Sequence, residues 1–88
     1  MKVTAKVFLP KKEMGNLKAF ASLTIEDKIV ITGLKLVDGK NGMFINFPQY
    51  KSGDEYKDIV FPLNKELRDK LTNLVISEYN KISDNGNI

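Results

Sequence analysis

No cysteine and no histidine occur anywhere in these 88 residues. The first absence excludes disulfides and thiolate chemistry. The second removes the commonest general base and the commonest metal ligand. Ser22, Ser52, Ser77 and Ser83 therefore have no imidazole to activate them as nucleophiles. Arginine is nearly absent, with Arg68 standing alone against thirteen lysines. Long apolar runs are missing too. None approaches the ~18 residues of a membrane-spanning helix. No apolar core of roughly 7–15 residues precedes Lys11, Lys12 and Glu13, so the start does not read as a secretory signal, and the expected compartment is the cytoplasm. The chain has no internal repeat and no low-complexity segment.

The length allows one domain with a thin core, since a chain of this size buries only roughly 60–65% of its unfolded surface. Association with a second copy is one way to bury more. The formal charge is +3, and its distribution is uneven. Residues 1–51 hold nine lysines and four acids, 9 − 4 = +5; residues 52–88 hold five basic and seven acidic residues, 5 − 7 = −2. A basic face for a polyanion is one reading of that asymmetry. Solvated lysines in a chain whose Lys, Ile and Asn content follows an A- and T-rich coding sequence is the other.

Residues 2–9 alternate, with Val3, Ala5, Val7 and Leu9 on one face of a half-buried strand. Residues 10–16 read as a turn with Gly15-Asn16 at its tip. Alternation resumes over 17–25, placing Leu17, Ala19, Ala21, Leu23 and Ile25 inward and Phe20 on the opposite face, beside Phe8. Glu26-Asp27-Lys28 is a tight turn. Residues 29–37 are apolar and β-branched, but their phase shifts at Thr32-Gly33, where a β-bulge would absorb one residue and restore the inward face. Leu36–Pro48 (LVDGKNGMFINFP) is the clearest hairpin signal, a turn through residues 38–42 containing Asn41-Gly42 between apolar runs. Met43, Ile45 and Phe47 share one face of the fourth strand, and Pro48 ends it because proline cannot donate to a ladder.

Residues 49–56 (QYKSGDEY) read as a polar loop and 57–61 (KDIVF) as a short fifth strand closed by Pro62. Beyond it the period changes. Asn64 is a good helix N-cap. Leu67, Leu71, Leu74, Val75 and Ile82 recur at helical steps with Tyr79 at the edge, and Lys65–Asp69 and Glu66–Lys70 have i,i+4 ion-pair spacing. The helix should run from about Lys65 to Lys81. The expected architecture is α+β: an antiparallel β-meander of about five strands, then one C-terminal helix on or across the sheet. Residues 1–82 make the domain and 83–88 a frayed tail.

Chemistry-bearing constellations are few. Glu26-Asp27 and Asp54-Glu55 fall in predicted turns or loops, where acids are usually solvated. Asp38–Gly42 lacks the ligand ladder and terminal Glu of a calcium loop. Gly39 and Gly42 precede no helix and so make no phosphate cradle. No catalytic residue, metal site or cofactor is expected, and no small-molecule substrate or membrane partner. What remains is basic residues beside aromatics: Tyr50 and Lys51, Tyr56 and Lys57. Lysines can neutralise phosphates and a tyrosine can stack on a base. Alternatively, both tyrosines pin the loop onto the sheet while the lysines face water. Asp54, Glu55 and Asp58 reduce any positive potential there. The helix mixes Lys65, Arg68 and Lys70 with Glu66 and Asp69, so its polar side reads as a solvated face rather than a groove-reading one.

The ordered set MKVTAKVFL, ASLTIEDKIVITGLKLVDGKNGMFINFP (21–48) and YKDIVFPLNKELRDKL (56–71) resembles the SpoVG family, the septation regulators of bacteria. The resemblance covers the chain to about Tyr79. It implies a homodimer with an antiparallel sheet and C-terminal helix, and a site-specific DNA- or RNA-binding regulator of gene expression, septation and sporulation. Basic residues just after the proline that closes the fourth strand are the implied contacts, which here means Lys51, with Lys57 farther on. Lys40 and a stacking Tyr50 complete the candidate set. The family often has a basic pair in that loop; here Tyr50 takes one of its places, and the loop is about one residue shorter. Phe61 stands where the family usually has His. The rival expectation is a protein-interaction module in cell division, docking through strand edges and the Phe8/Phe20 face, with only weak nonspecific nucleic-acid binding.

Overall fold

A computed structural model describes residues 1–12 and 15–86, with the backbone alone described for 83–86. Glu13 and Met14 of the expected first turn, and Asn87 and Ile88 of the expected tail, lie outside the described residues. Four antiparallel strands follow one another in the sheet, β1 (Val3–Phe8), β2 (Leu17–Ile25), β3 (Ile29–Gly39) and β4 (Gly42–Asn46), in the order β1-β2-β3-β4. Helix α1 (Lys65–Gly86) covers one face, packing mainly against β1 and also reaching β4. The architecture is α+β, as the alternation and the later change of period predict.

The inward face is the one read from alternation. Val3 and Val7 on β1, Ala19, Ala21 and Leu23 on β2, Leu34 and Leu36 on β3, and Ile45 with Phe47 at the end of β4 form one buried cluster with Leu71 and Val75 of α1. Leu23, Leu34, Leu36 and Val75 are almost wholly excluded from solvent. Each such side chain contributes about 1.5–3 kcal/mol through removal of apolar area from water. Leu9 and Leu17 depart from expectation. β1 ends at Phe8, and Leu9 lies beyond the ladder, half exposed. Leu17, expected inward, pairs with Val37 across a register shift and is not part of the core cluster.

Two irregularities set the register. Ala21 pairs with Leu34 and Leu23 with Ile31, so one residue of β2 opposes the two residues Thr32-Gly33 of β3. This is the bulge that the phase shift predicts, and Gly33 adopts φ +84 there, a left-handed conformation. A second shift makes Lys18 the extra residue on β2. The β2–β3 turn is less orthodox. Glu26 and Asp27 both take positive φ, 55° and 56°, without a glycine. Lys2 clamps them: its backbone N–H donates to Glu26 Oε1 (2.9 Å), its Nζ meets Asp27 Oδ2 (2.7 Å), and its carbonyl accepts from the Glu26 N–H (2.8 Å).

Asn64 caps α1 as expected, its Oδ1 accepting from the Leu67 N–H at 2.8 Å. The helix runs to Gly86, past the expected end near Lys81 and into the segment expected to be a tail. The two i,i+4 ion pairs expected on its outer side do not close. Among the described residues the helix instead has Lys81 Nζ to Glu78 Oε1, at 3.3 Å. That pair is three residues apart and exposed, so it contributes a few tenths of a kcal/mol at most.

Candidate nucleic-acid interface

The segment after Pro48 is not a loop. Gln49–Ser52 (β5) and Glu55–Asp58 (β6) form a separate two-stranded antiparallel sheet joined by Gly53-Asp54. Gly53 has φ +65 at the first turn position, where a two-residue hairpin of the II′ kind requires glycine. The expected fifth strand at 57–61 is displaced accordingly. Only Lys57 and Asp58 of it are in a strand, and that strand pairs with β5 rather than with the meander. Ile59, Val60 and Phe61 form the descent from the ribbon to Pro62 and α1.

The ribbon is tied at its base. The Ile59 N–H donates to the Pro48 carbonyl at 2.7 Å, and Gln49 Nε2 donates to Asp58 Oδ1 at 2.7 Å. Pro48 itself sits beside the Gly33 bulge, where a methyl group on residue 33 would lie 3.5 Å from Pro48 Cβ. Above that base the ribbon is exposed on both sides. Every residue of β5 is exposed, and only Asp58 of β6 is partly covered. Tyr50 and Tyr56 are 50% and 67% exposed, so neither pins the segment onto the sheet.

Register decides which candidate residues meet. Tyr50 is opposite Lys57, and Lys51 is opposite Tyr56. Directly opposed residues share a face, and successive residues alternate. One face therefore carries Lys51, Tyr56, Gln49 and Asp58; the other carries Lys57, Tyr50, Ser52 and Glu55. The ribbon does bring each lysine beside a tyrosine, but it sends Lys51 and Lys57 to opposite faces. They do not form the single cationic cluster beside Pro48 that the sequence suggests. Lys40 is farther off, in the β3–β4 turn at the other end of β4, about 20 Å away by strand rise from Gly42 to Pro48.

The local charge is not positive. Against Lys51 and Lys57 stand Asp54, Glu55 and Asp58, giving 2 − 3 = −1 for the ribbon. Neither lysine closes an ion pair with a described residue. Both ammonium groups are thus available to an outside anion, in a field that is close to neutral.

A second feature is apolar. A cleft of about 210 Å³ opens between the sheet and α1, walled by Leu23, Ile31, Phe47, Val60 and Leu71. Met1 and Phe61 line it while being largely exposed, and exposed Ile59 and Leu63 flank the segment that closes it. Among the described residues no three acidic side chains converge as a metal site requires, and no described helix is long and apolar enough to cross a membrane.

Comparison with known proteins gives this geometry a lineage. The family model described as SpoVG matches residues 1–81. A protein of Alkaliphilus oremlandii named "Putative septation protein SpoVG" is 39% identical over 71 residues, 80% of this chain and 76% of the relative. The protein of the same name from Lachnospira eligens is 43% identical over 68 residues, covering 76% and 77% of the two chains. That of Caldanaerobacter subterraneus is 35% identical over 86 residues, 97% of this chain and 94% of its own. The chain belongs to the SpoVG family, a family named for septation and not for any reaction.

Proposed function

We propose that this member of the SpoVG family is a noncatalytic, homodimeric regulator of septation and sporulation that acts by binding DNA or RNA. The observation that carries the reading is the β5–β6 ribbon. It is a narrow two-stranded arm, exposed on both sides, with one lysine beside one tyrosine on each face. The major groove of B-DNA admits a two-stranded ribbon of this kind, and exposed tyrosines can stack on unpaired bases. A ribbon with a net charge of −1 attracts a polyanion weakly, so affinity requires more than one copy.

Dimerisation supplies the second copy. The apolar cleft with its rim of Met1, Phe61, Ile59 and Leu63 is the surface best suited to being covered. A twofold axis then presents two ribbons to one ligand, and the second contact gains from effective concentration.

The test is a salt series of binding isotherms for the wild-type chain and the Lys51→Ala/Lys57→Ala variant, on DNA and RNA of selected sequence. The variant should bind more weakly, with the slope of log affinity against log salt reduced by about 0.9 per lost phosphate contact on duplex DNA. An unchanged slope removes the ribbon from the contact surface. A monomer in light scattering at binding concentrations removes the dimer.

The near-neutral ribbon and the exposed phenylalanines of the sheet favour a second reading, a protein-interaction module of cell division. Random-sequence selection separates the two. Enrichment of a motif at physiological salt supports the first reading, and no enrichment supports the second.

A further inference from the structure

The face of the sheet turned away from α1 carries no covering element among the described residues, and its composition is unlike that of a solvated β-face. Across the four strands one row reads Phe8, Phe20, Lys35, Asn46, each residue opposite the next in the ladder. The row beside it holds Lys6 opposite Ser22. On the other side Val37 is opposite Phe44. Phe8 and Phe44 are 56% and 43% exposed, and Lys6 and Lys35 are exposed as well. The two ionisable side chains in these rows are both lysines. The nearest acids of the strand ends are accounted for: Glu26 and Asp27 are held by Lys2, and Asp38 shares its parity with inward Leu36.

We infer that this open sheet face binds a single strand of nucleic acid, with a base stacked on the Phe8/Phe20 pair and flanking phosphates held by Lys6 and Lys35. The inference rests on the nucleic-acid reading above and names a contact surface distinct from the ribbon. Lys6 and Lys35 are two strands and one row apart, about 12 Å by sheet geometry, with Lys6 neighbouring Phe8 along β1 and Lys35 opposite Phe20. An aromatic platform with cations on both sides is sequence-tolerant and suits an unpaired strand, whose bases are free to leave one another. A duplex keeps its bases stacked internally and cannot use the phenylalanines.

The test uses the full chain and fluorescein-labelled 12-nucleotide oligonucleotides, single-stranded and duplex, by anisotropy at several salt concentrations. Two variants address the face, Phe8→Ala and Lys6→Gln/Lys35→Gln, with Lys51→Ala/Lys57→Ala in parallel. Each variant is checked for an unshifted urea midpoint and for its mass by light scattering. Phe8→Ala should weaken single-strand binding about 5- to 100-fold. Lys6→Gln/Lys35→Gln should lower the salt slope by about 1.4 on a single strand. A 2-aminopurine in the oligonucleotide should be quenched by the wild-type chain and not by Phe8→Ala. Loss of single-strand binding in the face variants with duplex binding intact supports the inference. Unchanged single-strand binding in them, with loss only in the ribbon variant, overturns it and leaves the ribbon reading standing. A change of oligomeric mass without a change in affinity also overturns it and assigns the face to a second copy. Duplex binding by the wild-type chain with no single-strand binding overturns the inference alone.

Discussion

Replacing Gly33 by alanine isolates a single backbone conformation. Gly33 has φ +84, and an L-residue held in the left-handed region loses about 1–2 kcal/mol. Sterics add nothing, because the new methyl group would meet Pro48 Cβ at 3.5 Å, an ordinary contact. Alanine also stiffens the unfolded chain, which returns part of the loss, about 0.4–1 kcal/mol. Strain wins, and the expected net destabilisation is about 1 kcal/mol. For a domain of this size that lowers Tm by about 4–8 °C. In urea it lowers the midpoint by about 0.5–1 M at an unchanged m-value. D-Alanine introduced by chemical ligation takes positive φ without strain, so it should match or exceed the wild-type midpoint. Nucleic-acid affinity should not move, since Pro48 and the ribbon base are undisturbed. An L-alanine variant as stable as wild type would refute the bulge at Thr32-Gly33, and with it the pairings of Ala21 with Leu34 and Leu23 with Ile31.

Asn64→Ala removes the cap on the Leu67 N–H and should cost about 1 kcal/mol in urea unfolding, while Asn64→Asp should be close to neutral. Leu36→Ala empties a fully buried position and should cost about 2–5 kcal/mol. Leu9→Ala, at a residue that alternation alone would place in the core, should change stability by no more than about 0.5 kcal/mol. Equal effects at Leu9 and Leu36 would contradict the end of β1 at Phe8.

The meander is legible because each of its strands has one buried face. Alternation is a record of burial, and in β1 and β4 the record is clean; in β2 it holds from Ala19 onward and is broken at Lys18, which leaves Leu17 out of phase. Even the bulge leaves a mark, since Ile31 and Leu34 can share a face only if an extra residue lies between them. The ribbon leaves no such mark. Both of its faces meet water, so Gln49–Asp58 contains no apolar alternation and reads as a loop. Its one local signal is Gly53-Asp54 between runs containing Tyr50 and Tyr56, a glycine-first turn of the hairpin kind. Ile59-Val60-Phe61 misleads in the opposite sense. Its apolarity suggests a strand, but Val60 and Phe61 line the cleft and Ile59 is exposed, and none of the three is in a strand. The separation of Lys51 from Lys57 follows from the ribbon's register and is hidden with it. At Glu26-Asp27 the residue types locate the turn but not its left-handed backbone, which they rarely adopt. That backbone depends on Lys2, 25 residues from Asp27 in sequence.

Opposite faces also change what a salt series can resolve. Had Lys51 and Lys57 formed one cluster, they would act on one stretch of backbone and their single substitutions would be interchangeable. On a two-faced ribbon they are not. If one face of each ribbon meets duplex DNA, a dimer gains one phosphate contact per chain, and one lysine accounts for a slope of about 1.8 while the other accounts for none. If the ribbon enters a groove edge-on, its two faces look toward opposite walls and each lysine accounts for about 1.8. The acidic tip, Asp54 with Glu55, weighs against the second arrangement, because it would carry two carboxylates toward the groove floor. Lys51→Ala and Lys57→Ala, measured separately, should therefore differ, with a large slope change in one and almost none in the other. Equal reductions would mean that the ribbon is gripped on both faces despite its tip.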